Sequence, residues 1–225
     1  MKNTTLKTSL FRKFVFSTIL LFTISISAQV GIGNTNPNSA SNQRDNYKLV
    51  KSVADFPAPM SGKITLLSNT YYEINGTITL TNSIDLNNAY VSGLDANEDV
   101  LSFPGGTVFS GSTGGSIRNI TIKGARAFNI TGPGITTNSS LLVQNTIIDG
   151  MTTSVGSISG LGLYFGNIVQ FLNNTTGITY SNIGNLLLSN QGWFGNNSGT
   201  FEKLTGTFGL VEKVSGFSTA KSGAI

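Results

Sequence analysis

The stretch SIRNITIKG, residues 116–124, returns twenty-six positions later as LVQNTIIDG, residues 142–150. Both follow one pattern: an aliphatic residue, one residue, asparagine, two residues, isoleucine, one residue, glycine. A unit this short cannot bury an apolar face by itself, so it has to stack on copies of itself. A third copy, IGNLLLSN, fills the slots with Ile183, Asn185, Leu188 and Asn190. A weaker fourth begins at FGN, residues 165–167, with Gln170 in its aliphatic slot. The spacing between copies is uneven. That suits a β-solenoid whose turns vary in length, and it does not suit a fixed-period helical repeat.

The segments before the repeat agree. KITLL, YYEIN and TITLT are short runs of alternating apolar residues separated by Asn or Gly. Alternation predicts strands with one buried face. In stacked coils isoleucine fills the interior. Asparagine suits corners, because it tolerates left-handed backbone and its amide can bond the coils above and below. Asn119, Asn145 and Asn185 are therefore expected to be corner or ladder residues. The fold expected is all-β, a parallel β-helix.

Composition narrows the chemistry. The chain of 225 residues has no histidine and no cysteine. This excludes Ser-His-Asp triads, Cys-His dyads, disulfides and His- or Cys-ligated zinc. Charged residues make up only 11% against 39% hydrophobic ones, too apolar for a disordered chain.

Residues 1–13 carry Lys2, Lys7, Arg12, Lys13 and no acid; residues 14–26 are apolar, and Ser27 and Ala28 follow. A basic start, an apolar core shorter than a membrane span and small residues at the end predict a signal peptide over residues 1–28. Cleavage is expected after Ala28 or Ser27. The 14 basic residues of the whole chain then fall to match the 10 acidic ones, so the exported chain is formally neutral. Nucleic acid is not an expected partner, since its binding rests on excess positive charge. Membrane contact is expected only through the signal peptide before cleavage. Residues 29–45 are expected to be a polar linker, residues 46–60 a cap segment with Pro57 and Pro59, and residues 61–225 the coils.

Two resemblances add to this. QVGIGNTNPN, residues 29–38, resembles the mature start of many secreted proteins of Bacteroidota. That implies a product secreted from, or held on the surface of, a Gram-negative bacterium. KSVADFPAPMSGKITLLSNTYYEINGTITL, residues 51–80, with GLDANEDVLSF and SIRNITIKG after it, resembles the opening of right-handed parallel β-helix proteins of the pectin-lyase-like class. In particular it is similar to uncharacterised members from phage and phage-rich marine sequences. The likeness covers roughly residues 48–220 and implies the fold. Function does not follow, because this fold carries lyases, hydrolases, adhesins and tail spikes.

Candidate sites are few. Asp95, Asn97 and Asp99 match the first ligand positions of an EF-hand loop, but Val100 and Gly106 stand where that loop needs Gly and Glu. A looser calcium site is the one cofactor left open; a solvated turn is the plainer alternative. Trp193, Tyr164 and Tyr180 are aromatic groups that could stack on a sugar or pack inside. No carboxylate pair marks a glycosidase, and no residue is expected to be catalytic. The last segment still alternates and shows no cap. It is expected either to be covered by another chain, giving an oligomer, or to continue in a longer protein.

The sequence thus points to a secreted, non-enzymatic β-helix scaffold or binding module for a polysaccharide or cell-surface glycan. The alternatives are a tail-spike-like particle protein and a polysaccharide lyase or hydrolase.

Overall fold

The structure, a computed structural model, describes residues 46–218, with side chains to residue 214. The expected signal peptide and linker lie outside the described residues. The regular structure is nearly all β, 62% strand against 2% helix, and forms a parallel β-solenoid of about seven turns.

Parallel registers sort the strands into three faces. The first face stacks β1 (Tyr47–Val50), β3 (Tyr71–Ile74), β6 (Tyr90–Ser92) and β8 (Gly115–Arg118). It continues through the first half of β10 (Ser140–Asp149), the first half of β12 (Leu163–Leu172), and the middles of β13 (Ile178–Phe194) and β14 (Glu202–Ser218). The second face stacks β4 (Thr77–Thr79), the starts of β7 (Val100–Gly111) and β9 (Thr121–Thr131), and the far ends of β10, β12 and β13. The third face holds β2 (Lys63–Thr65), β5 (Ser83–Asp85), the ends of β7 and β9, β11 (Ser154–Ser159), and the starts of β13 and β14.

Alternation along each strand sends every second side chain inward, and register stacks these into columns. On the second face one column runs Ile78, Leu101, Ile122, Ile148, Phe171, Trp193, all buried. On the third face Ile64, Ile84, Phe109 and Phe128 do the same. Residues 46–60 supply the first rung, β1, and a 3₁₀ turn at Val53–Asp55, and buried Phe56 packs on Tyr72 with ring centres 5.8 Å apart.

Register corrects the later copies of the repeat. Residues 165–173 and 187–195 lie opposite 142–150. The asparagine slot therefore runs Asn119, Asn145, Ile168, Asn190. All four have left-handed backbone, with φ of 53°, 47°, 54° and 51°. Asn145 Nδ2 donates to Asn119 Oδ1 at 2.8 Å, the inter-coil bond expected of an amide ladder. Asn185 is not a left-handed corner, since it lies in β13 opposite Leu163 and its φ is not positive, but its Nδ2 reaches Gly162 O of the previous coil at 3.5 Å. The sequence pattern slipped because Gly166 stands in the aliphatic slot, Ile168 in the asparagine slot, and Phe171 and Trp193 in the isoleucine slot.

Ile168 is the odd member. A β-branched residue in the left-handed region is strained by about 1–2 kcal/mol, and its side chain is 45% exposed, so little burial offsets this. Ile168→Asn is expected to stabilise the protein by about 1 kcal/mol and raise Tm by about 2–4 °C. A thermal melt by circular dichroism checks this; a lowered Tm would show that Ile168 contributes packing the exposure does not reveal.

Candidate functional site

Three outward tyrosines share one column of the first face. Tyr47 opens β1, Tyr71 opens β3 and Tyr90 opens β6, and register aligns them in that order, with Ser116 of β8 next. Tyr47 and Tyr90 are 49% and 46% exposed, and Tyr71 is half-buried. The rings of Tyr47 and Tyr71 stack with centres 6.0 Å apart and planes 14° apart. Ser116 is too small to continue the stripe, so the aromatic column ends in a step.

The neighbouring outward column runs Leu49, Glu73, Ser92, Arg118. Arg118 folds back over Ser116, its Nε donating to Ser116 Oγ at 3.1 Å. Among the described residues no carboxylate forms an ion pair with Arg118. Its terminal nitrogens therefore remain donors for something else. Together Tyr47, Tyr71, Tyr90, Ser92, Ser116 and Arg118 line a groove of about 590 Å³. The Tyr47 phenol titrates above its ordinary range, through desolvation first and then the Glu73 carboxylate beside it.

The aromatics expected to bind sugar are elsewhere. Trp193, Tyr164 and Tyr180 are 2%, 1% and 0% exposed. Trp193 stacks on Phe201 with centres 4.7 Å apart, and Tyr164 lies 5.1 Å from Tyr180. Each sits in an inward slot, where its large apolar area stabilises the core. No ligand can stack on them from outside. Burial also raises both buried phenols well above the usual tyrosine range.

The acidic turn is likewise spoken for by the fold. Asp99 is buried. Its Oδ1 accepts from Gly76 N at 2.7 Å, and its Oδ2 from Leu94 N at 2.7 Å and Asp95 N at 3.0 Å. Asp95 Oδ1 accepts from the backbone and side-chain amides of Asn97 at 2.9 and 3.0 Å. Asp99 therefore offers no free oxygen to calcium, and no group of three acidic side chains among the described residues could hold a metal. The turn borders a smaller polar hollow of about 220 Å³ that also touches Asn145 and Gln170. Asp149 pairs with Lys123 at 2.9 Å on the outer surface.

Sequence reasoning missed the stripe, although a signal was there. NYKLV, TYYEI and AYVS each place tyrosine at the same point of successive first-face strands. It also missed the buried amides Asn174 and Asn197. Asn174 Nδ2 donates to Asn197 Oδ1 at 3.1 Å, and Asn197 Nδ2 to Phe171 O at 2.6 Å, which holds successive turns together. The chain matches no known family model, no curated protein and no solved structure.

Proposed function

We propose that this chain is an exported β-solenoid that binds a polysaccharide or cell-surface glycan along the tyrosine stripe of its first face. The observation that carries this is the column Tyr47, Tyr71, Tyr90 beside an Arg118 free of carboxylate partners. A sugar ring offers an apolar C–H face and a hydroxyl rim. The stacked tyrosines answer with apolar ring edges and a row of hydroxyls. Stacked parallel strands repeat about every 4.8 Å, so the stripe presents a regular series of contacts to a chain of sugars. Arg118 adds hydrogen-bond donors at one side of the groove. The basic and apolar start of the sequence supports export, and the pectin-lyase-like resemblance of residues 51–124 fits a carbohydrate ligand.

Binding is favoured over cleavage by the groove's own lining. A two-carboxylate glycosidase needs its acids roughly 5–10 Å apart across the bond, and the groove has one carboxylate at its edge, Glu73 beside Tyr47, rather than a pair.

The test is affinity electrophoresis against neutral and acidic polysaccharides, backed by a glycan array. The native chain is expected to be retarded by at least one polysaccharide. Tyr71→Ala and Arg118→Ala are each expected to weaken that retention by about tenfold or more, the size of an interface hot spot. Arg118 is exposed, so its variant should leave the melting curve in place, while loss of the half-buried Tyr71 ring should lower Tm by a few degrees without unfolding the chain. Retention unchanged in both variants, or none with any glycan, would remove the groove from consideration.

A further inference from the structure

The outermost described strand carries a segment that is its own charge complement. β14 pairs with β13 along one edge and, among the described residues, with no strand along the other. Residues 202–213 read EKLTGTFGLVEK. Folded back on itself about a centre between Thr207 and Phe208, this segment sets Glu202 against Lys213 and Lys203 against Glu212. Leu204 meets Val211, and Gly206 meets Gly209.

Side-chain direction agrees with that pairing. The buried residues Ile178, Tyr180, Leu186 and Leu188 of β13 lie opposite Glu202, Leu204, Val211 and Lys213, so these four face inward. Lys203 and Glu212 alternate with them and face outward. Every opposed pair thus lies on one side of the sheet, as antiparallel partners must. The centre also falls where β14 turns from the third face to the first, since Thr205 is paired on one and Leu210 on the other. A two-fold axis there exchanges those two faces.

We propose that two copies of this chain pair end to end through β14, antiparallel and related by that two-fold axis. The contact is isologous: each Lys203 meets the other copy's Glu212, and the Glu202–Lys213 ion pair already formed within each chain lies against its copy, acid opposite base. It covers a strand edge that would otherwise invite indiscriminate pairing. It also buries the inward Leu204 and Val211, which are 43% and 44% exposed in the single chain.

The outer pair gives a clean test, because Lys203 and Glu212 form no ion pair within one chain. Sedimentation velocity and light scattering on the purified full chain are expected to show a two-chain species. Lys203→Glu sets acid against acid twice across the two-fold and is expected to weaken association about tenfold. Glu212→Lys does the same from the other side. The double variant Lys203→Glu/Glu212→Lys restores every opposed pair and should return the two-chain species. Unchanged circular dichroism melts show that the single variants still fold. A single-chain species throughout, a ladder of larger assemblies, or a double variant no better than the singles would each overturn the pairing.

Discussion

Ile148→Asp is expected to yield no folded protein. Ile148 is 1% exposed and lies in the second-face column between Ile122 and Phe171. Truncating a buried isoleucine costs about 2–5 kcal/mol by itself. Burying a carboxylate with no partner costs several kcal/mol more, and the column offers no cation. The sum rivals the whole stability of an ordinary domain, about 5–15 kcal/mol. The expected result is insoluble protein, or soluble protein with no cooperative melt. Ile122→Asp, in the same column and also buried, should behave alike. Ile148→Val keeps the column apolar and should cost only about 1 kcal/mol. A soluble Ile148→Asp protein with a near-native melt would mean that this side chain does not face the interior, and the register of the second face would fall with it.

The fold was legible because its signal is redundant. Two copies of one nine-residue pattern, Asn119 and Asn145 at its corners, and strands of alternating apolarity all require the same stacked coil. Copy boundaries were less legible, because each slot of a solenoid sets a shape rather than an identity. The isoleucine slot accepts Phe171 and Trp193 as well as Ile122 and Ile148, and the asparagine slot accepts Ile168 at a cost. A pattern search therefore drifted to Asn185, three residues from the nearest aligned slot at Leu188. The site was the least legible part. Whether an aromatic side chain faces in or out depends on strand parity, and parity depends on register. Trp193 stands between glycines and looks like a loop residue, yet its strand turns it inward. Tyr71 and Tyr72 are adjacent, and only the pairing of Tyr72 with Val91, in an inward column, shows that Tyr71 is the one turned out.

Asp99→Ala is expected to cost about 3–5 kcal/mol, the largest loss from any single charged side chain among the described residues. Its carboxylate accepts three backbone N–H groups: Gly76 from the previous turn, and Leu94 and Asp95 from its own. Each donor left unsatisfied costs about 1–3 kcal/mol, and the three bonds are lost together. The corner is built around that side chain. Gly93 packs its α-carbon so near Asp99 and the Asn119 carbonyl that a Cβ there would overlap both. The same bonds predict a pH signature. Burial pushes the Asp99 carboxyl upward, but the Gly76, Asp95 and Leu94 amides together outweigh it, and the group titrates below its ordinary value. A carboxyl that is more acidic folded than unfolded stabilises the fold above the unfolded value, near 4, and loses that contribution as pH falls through the folded one. Melting temperature should therefore be flat from neutral pH to about 5 and fall below about 4. In Asp99→Ala that acid limb should shrink, on a curve already lowered at pH 7. Millimolar calcium should leave the native melt where it is, because both oxygens of Asp99 are engaged by backbone. A calcium-dependent rise in Tm would mean that the turn opens to take a metal. A full acid limb in the alanine variant would mean that another carboxylate carries it.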